Sequence, residues 1–249
     1  MVSLEPRKKN ILEVALLMFT LLSSAMALTI SLSVASRVIC WETVVTLAAP
    51  GVDDSDSNTH YELLSHHWNA TIDYYINPTN WYGFSTTNVV NTINASANTW
   101  DKETPFQVFS YSGTTSRIAG SRDGRNVISW GYLRTGILAI TYLWTSGSGV
   151  VETDCRLNTY HSWSLSGEPG KMDLQSVMTH EFGHWCGLKD LYASADYWLT
   201  MYGYSTYGLT YQRTLGLGDI KGLQAVYGSY VRTFHPHPYP FCSSGTIAQ

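Results

Sequence analysis

Runs of alternating and apolar residues in the middle of the chain predict a β-sheet. Residues 70–76 (ATIDYYI) alternate and are rich in β-forming residues, which is typical of a half-buried strand. Four later runs have a similar character, and the turn-forming SGSG at 146–149 separates the last two. The predicted strands are residues 70–76, 106–111, 126–130, 137–144 and 150–157.

Helical spacing of apolar residues predicts three helices around these strands. The first covers residues 86–100, with Ser85 or Thr86 as its N-cap. A second is predicted from residue 173 to about residue 186, and a third from residue 218 to residue 227. Strands concentrated early in the chain, with helices around them, predict an α+β fold.

Composition narrows the class of protein. The chain has 249 residues, a net charge of −4 and only 14% charged residues. No basic face is available, so nucleic acid is not an expected partner. The uncharged-polar composition, rich in Tyr, Ser, Thr, Asn and Gly, is common outside the cell.

The N-terminal residues have the pattern of an export signal. A positive start at 7–9 precedes a largely apolar run, and Ala25-Met26-Ala27 places small residues two apart, as signal cleavage requires. Residues 1–27 are therefore interpreted as a secretory signal, which predicts a secreted, extracellular protein. The alternative is an uncleaved N-terminal anchor, because the apolar run can be extended to about 25 residues, enough to cross a bilayer. Only in that case is a membrane an expected partner.

A polar, turn-rich stretch at 49–58 separates this signal from the folded part of the chain. Residues 28–65 are interpreted as a short pro-segment or linker, residues 66–230 as one folded domain, and residues 231–249 as a C-terminal tail. The chain has no internal repeat, and the protein is expected to be a monomer.

The strongest chemical signal lies in residues 179–190 (THEFGHWCGLKD). On a helix, His180 and His184 project from one face, one turn apart, so both imidazoles can reach one cation. Gly187 can adopt the left-handed conformation that ends a helix, and the turn allows Asp190 to supply a third ligand. Two imidazoles and one carboxylate leave a fourth position on tetrahedral zinc for water. The alternative is a solvated helix end that binds no metal.

Glu181 has a different predicted role. It lies about 100° round the helix from His180, better placed to contact a bound water than to bind the metal. Zinc lowers the pKa of such a water toward neutrality. Glu181 can accept its proton as the hydroxide attacks a carbonyl, and can then pass the proton to the leaving amine. This arrangement predicts hydrolysis of peptide bonds, with a protein or peptide as the partner.

Residues 199–203 (LTMYG) follow this motif, and with them the chain resembles the metzincin zinc metallopeptidases. Metzincins extend the zinc motif through a glycine to a third ligand and then form a tight turn with a methionine beneath the metal, which Met201 matches. Within the metzincins the chain is most similar to the matrixins, over roughly residues 66–230. The similar segments are TWDKETPFQVF at 99–109, GILAITYLW at 136–144, VETDCRLNT at 151–159 and GLGDIKGLQAVYG at 216–228.

The resemblance implies a zincin, metzincin-like catalytic domain. Its twisted, mostly five-stranded mixed sheet would carry an active-site helix and a C-terminal helix. It also implies that residues 137–142 form an edge strand that pairs with an extended substrate through backbone hydrogen bonds. The candidate substrate-binding residues are Ile137, Leu138, Ala139 and Ile140.

The chain also departs from the matrixin pattern. Matrixins have histidine as the third ligand, whereas Asp190 resembles the snapalysin branch of the metzincins. The structural-zinc histidines of matrixins are missing, so one catalytic zinc is predicted rather than two. Cys40 lies in VICWETV, which does not match the matrixin PRCGVPD segment, so a thiolate latch is not expected. Calcium could bind in the loops at 112–126 or 145–149, but the sequence does not allow its ligands to be assigned.

The cysteines suggest one disulfide. The chain contains four cysteines, and an even number in an exported chain favours disulfides. The predicted pair is Cys155 with Cys186, because that bridge would tie the zinc helix to the sheet. The alternative is two buried free thiols.

These observations predict a secreted zinc-dependent endopeptidase. His180, His184 and Asp190 would hold zinc, Glu181 would act as general base and then general acid, and Met201 would form the floor under the metal. The alternative is a non-catalytic zinc-binding surface or interaction protein on the same scaffold. The intact Glu181 favours the enzyme, because degenerate descendants usually lose the base first.

Overall fold

In the computed structural model, the described residues are 58–147 and 149–230, together with the backbone of 37–45. The chain divides into two units, Met1–Arg37 and Val38–Gln249, and the elements below belong to the second except for Arg37, the first residue of β1. The predicted signal (1–27), the predicted tail (231–249) and most of the predicted pro-segment lie outside the described residues. Within the described part, no helix has the length and apolar character needed to cross a bilayer.

The described residues form nine strands and three α-helices. The strands are β1 (Arg37–Val45), β2 (Ile72–Ile76), β3 (Phe109–Thr114), β4 (Asn126–Gly131), β5 (Ile137–Ser146), β6 (Gly149–Asn158), β7 (Trp163–Ser164), β8 (Met172–Asp173) and β9 (Tyr204–Ser205). The helices are α1 (Thr86–Asp101), α2 (Leu174–Trp185) and α3 (Leu217–Tyr227). Short 3₁₀ turns lie at Ser194–Asp196 and Tyr211–Arg213.

Seven strands form one mixed sheet in the order β3-β2-β4-β6-β5-β1-β9. β2 is parallel to β3 and β4, β4 is parallel to β6, and β5 is antiparallel to β6. The body of the sheet, β2 to β6, consists of the five strands that the sequence predicts. The predicted α+β fold with a mostly five-stranded mixed sheet, a central helix and a C-terminal helix is therefore confirmed.

The outer side of β5 carries a strand that the sequence analysis does not predict. β1 lies between β5 and β9 and pairs in parallel with β9, where Val44 is opposite Tyr204. β1 comes from the predicted pro-segment. Residues 137–142 are therefore at the edge of the five-strand body, but not at the edge of the whole sheet.

Helix α1 packs against α2 and positions it over the sheet. The Ser85 hydroxyl caps α1 by accepting a hydrogen bond of 3.2 Å from the Asn88 N–H. The apolar face of α1 is buried, and its last large residue, Trp100, is fully buried. The Trp100 indole N–H donates to the carbonyl oxygen of Thr179 at 2.8 Å, which ties α1 to the middle of α2.

The predicted disulfide between Cys155 and Cys186 is wrong, because both are free, buried thiols. Cys155, on β6, lies with its sulfur 4.0 Å from the sulfur of Met178 in α2. Cys186 is the C-cap of the same helix. From position 178 to position 186 a helix rises about 12 Å, whereas a disulfide needs Cα atoms within about 7 Å. The structure thus has the alternative that the sequence left open.

Candidate metal centre

The ends of α2 are set by two residues that position the candidate ligands. Asp173 is the N-cap, and its carboxylate accepts a hydrogen bond of 2.9 Å from the Ser176 N–H. Gly187 follows the helix with φ of 96°, in the left-handed region that glycine tolerates. The chain reverses there, and the Leu188 N–H donates to the carbonyl oxygen of Gly183 at 3.0 Å.

This reversal brings the three predicted ligands together. His180, His184 and Asp190 each offer a ligand atom, and these atoms all lie within 4.8 Å of one another. Oδ1 of Asp190 is 3.0 Å from Nε2 of His180 and 3.6 Å from Nε2 of His184. All three side chains are buried. In the described part of the chain, this is the one group of three or more His, Cys, Asp or Glu side chains with such spacing.

The other ring nitrogen of each histidine faces a backbone carbonyl. Nδ1 of His180 lies 2.7 Å from the oxygen of Thr200, and Nδ1 of His184 lies 2.9 Å from the oxygen of Leu188. A carbonyl can only accept a hydrogen bond, so Nδ1 carries the proton on both rings. The Nε2 atom of a neutral ring then presents its lone pair to Asp190.

The electrostatics of this group favour a cation. Apart from each other, Nε2 of His180 and Oδ1 of Asp190 have no hydrogen-bond partner, although both atoms are buried. Burial would lower the pKa of His180, but the Asp190 carboxylate raises it to about 9. Burial would raise the pKa of Asp190, yet the rings of His184 and His180 hold it below its ordinary value. Two imidazoles and one carboxylate are a common ligand set for zinc, so the residues fit that ion.

Glu181 lies beside this group but points to the sheet. The Thr141 hydroxyl on β5 donates a hydrogen bond of 2.6 Å to Oε2 of Glu181. Both side chains are fully buried. The carboxylate therefore sits between α2 and β5, next to the three candidate ligands without being one of them.

Met201 packs against α2 between the two histidines. A Cβ added at Gly183 would collide with Sδ of Met201, so the missing side chain makes room for the sulfur. The backbone N–H groups of Thr200 and Met201 donate to the Asp219 carboxylate at 2.7 and 3.0 Å. Asp219 thus holds the turn whose Thr200 carbonyl orients His180.

Three side chains that support the site were missed from the sequence. Thr141 could have been noticed as a polar residue within the apolar run ILAITYL. Asp219 lies near the start of α3 and has no role assigned from the sequence, whereas its carboxylate reaches the methionine turn. No sequence pattern indicates a role for Tyr192. Burial would raise the pKa of Asp190, and a hydrogen bond from Tyr192 is one of the contacts that lower it instead.

The loop between β3 and β4, one of the two considered for calcium, is held by carboxylates of β6. Asp154 accepts hydrogen bonds from the N–H groups of Gly120 and Val127 at 2.6 and 2.8 Å. Glu152 accepts one from the N–H of Asp123 at 2.6 Å. These oxygens face N–H donors, which is not an arrangement around a cation. Calcium binding stays a prediction without an assigned ligand set.

The fold and the site together have the arrangement of a metallopeptidase, with paired histidines on a central helix and a methionine turn packed against it. The matrixin family model matches residues 66–228, more than half of the chain, and the chain belongs to the matrixin family. A comparison with curated proteins found no match. The match includes the predicted ligands, but the role of Asp190 as third ligand stays a prediction.

Proposed function

We propose that this matrixin-family protein is a secreted zinc-dependent endopeptidase. The observation that carries the proposal is the buried convergence of His180, His184 and Asp190 beside Glu181. A zinc ion bound by these residues would supply a Lewis acid and lower the pKa of a coordinated water.

Each side chain of the site has a separate task in this proposal. His180, His184 and Asp190 bind the metal, and the carbonyl groups that accept from Nδ1 fix the two rings. Glu181 accepts the proton of the attacking water and then donates it to the leaving amine. Met201 packs under the ligand helix and limits its movement.

The substrate in this proposal is a protein or peptide that extends along the outer side of β5. Ile137, Leu138, Ala139 and Ile140 would bind it through their backbone groups. β1 pairs on this side of β5, so a substrate that binds there would have to take the place of β1. Secretion rests on the predicted signal at residues 1–27, and sequencing the mature N-terminus would distinguish cleavage from an anchor.

The proposal is tested by replacing the general base. Glu181→Ala should keep stoichiometric zinc yet lose hydrolysis of casein by at least about a hundredfold, since general acid–base catalysis contributes that much or more. Zinc content and casein digestion, with and without a chelator, measure the two effects. Glu168→Ala, which removes a carboxylate paired with Lys171 on the surface, is the matched control.

Two outcomes would contradict this assignment. Full activity in Glu181→Ala would remove Glu181 from the mechanism, and cleavage that a chelator does not inhibit would remove the metal. A wild-type protein that binds zinc but cleaves nothing would instead support the non-catalytic alternative.

A further inference from the structure

Thr141 places a hydroxyl group in a part of the core where packing alone does not require one. It lies on β5 directly opposite Cys155 of β6, so it shares the face of the sheet that packs against α2. Its neighbours Ile140, Leu138 and Leu143 are apolar and buried. A valine would fill the same volume, and a buried hydroxyl is unfavourable unless it has a hydrogen-bond partner.

The Thr141 hydroxyl is in hydrogen-bond contact with the Cys155 thiol, and it donates its own proton to the carboxylate of Glu181. The distance from Oγ1 to Oε2 is 2.6 Å, and both side chains are 0% exposed. A hydrogen bond to a charged group is stronger than a neutral one, and stronger still where water is excluded. Cys155, a titratable group opposite Thr141 on this face, keeps its proton because burial raises its pKa and the Glu181 charge raises it further.

A carboxylate of glutamate needs such an anchor to hold one orientation. Its last torsion joins a tetrahedral carbon to a planar one and has a broad energy profile, so packing fixes it poorly. Small errors in the position of a reacting group can lower a rate by about a hundredfold. A donor fixed in a β-strand would restrict the rotation of the carboxylate.

We propose that Thr141 is a positioning residue for Glu181. Its hydroxyl holds one carboxylate oxygen, and the carboxylate then presents its second oxygen toward the water that is to be deprotonated. This inference rests on the proposed function, and it assigns Thr141 a role through Glu181 rather than contact with the substrate.

Kinetics of hydroxyl-deletion variants test the proposal. Thr141→Val and Thr141→Ala should lower kcat by roughly 10- to 100-fold, the value of a hydrogen bond to a charged group. KM should change by less than about twofold and zinc should stay stoichiometric, because neither the β5 backbone nor a ligand changes. Thr141→Ser keeps the hydroxyl and should retain most of the activity. Thr145→Val, at a second buried threonine of β5, is the matched control and should leave kcat unchanged.

The serine and alanine variants decide the result even if the valine variant does not fold. Both lack the methyl group, so they differ only in the hydroxyl. Equal kcat values for Thr141→Ser and Thr141→Ala would overturn the proposal, as would full kcat in Thr141→Val.

A second measurement does not depend on activity. In the zinc-loaded protein, Thr141→Val should lower the urea midpoint of unfolding more in the wild-type background than in Glu181→Ala, because alanine has no acceptor for the Thr141 hydroxyl. Equal shifts in both backgrounds would overturn the proposed contact. A wild-type protein that binds zinc without hydrolysing peptides would contradict the proposed function. The double-mutant cycle of Thr141 and Glu181 would then still decide whether Thr141 holds Glu181.

Discussion

Two regions of the molecule bury carboxylates in opposite ways. On β6, the oxygens of Glu152 and Asp154 accept hydrogen bonds from N–H groups of the β3–β4 loop and from the N–H of Val127 in β4. At the end of α2, Oδ1 of Asp190 instead faces Nε2 of both histidines at 3.0 and 3.6 Å. The first region is satisfied by N–H donors of the backbone, whereas in the second the carboxylate oxygen of Asp190 and the Nε2 atoms of two neutral imidazoles are acceptors that face one another. A cation site is therefore recognised by buried acceptors that face one another, not by the number of acidic groups.

Asp219 shows that a carboxylate close to the candidate metal centre can still be satisfied by backbone N–H donors. Its carboxylate lies close to the site, since it binds the methionine turn. However, it accepts N–H groups from Gly216, Thr200 and Met201 at 2.8, 2.7 and 3.0 Å. It therefore resembles Asp154 in its hydrogen bonding and Asp190 only in its location.

The largest expected effect comes from replacing one carboxylate oxygen by an amide nitrogen in each region. Asp190→Asn should weaken zinc binding roughly a hundred- to a thousandfold, about a quarter of the free energy of a four-ligand zinc site. Asp154→Asn should leave the zinc affinity unchanged. Competition with a chelating dye measures both. Equal zinc affinity of the wild type and Asp190→Asn would remove Asp190 from the ligand set.

The second expected effect is a pH dependence of stability that originates at β6. Burial raises the pKa of Asp154 to about 7, although the N–H groups of Gly120 and Val127 oppose the shift. Between pH 4 and pH 7 the folded protein therefore keeps a proton that the unfolded chain has released. This difference in proton binding contributes to the free energy of unfolding. The contribution is complete below pH 4, and it falls by about 1.4 kcal/mol per pH unit as the pH rises toward 7.

Urea unfolding of the wild type and of Asp154→Asn at pH 5 and pH 7 measures this effect. The variant cannot titrate at this position, so its stability should change less between the two values. Parallel changes in the two proteins would show that Asp154 has an ordinary pKa in the folded state.

The smallest expected effect is at Asp219. Asp219→Asn replaces one acceptor oxygen by an N–H donor against the backbone N–H groups, so it should lower the free energy of unfolding by about 1–3 kcal/mol. The methionine turn would be held less firmly, but all three ligands remain, so zinc should stay stoichiometric. Thermal unfolding and metal analysis check the two parts. Loss of zinc in a folded variant would place Asp219 with Asp190 rather than with Asp154.

The residues of the site that could be predicted are those fixed by local spacing. The helix carrying His180 and His184 was predicted within about one residue at each end, because Asp173 and Gly187 are strong capping residues. Thr141 and the carbonyl of Thr200 could not be assigned in the same way. Their contacts with the site depend on the packing of β5 and the methionine turn against α2, which no local pattern specifies.

The strands show the same limit. The run at 106–111 suggested a strand from residue 106, but β3 begins at Phe109. The N–H groups of Val108 and Phe109 donate to the Asp101 carboxylate at 2.8 and 3.2 Å, so a side chain at the end of α1 takes part of the backbone pairing. β1 was missed because its segment, 37–45, was assigned to the pro-segment or linker rather than to the sheet.

The position of β1 affects how any rate on the intact chain is interpreted. A backbone N–H or carbonyl on the outer side of β5 that pairs with β1 is not available to a second extended segment at the same time. If a peptide binds along that side, it competes with a strand of the same polypeptide, whose local concentration does not fall on dilution. The observed rate of hydrolysis would then depend on two steps, the dissociation of β1 from β5 and the cleavage of the peptide bond. A lag before the steady state would indicate that β1 must dissociate first.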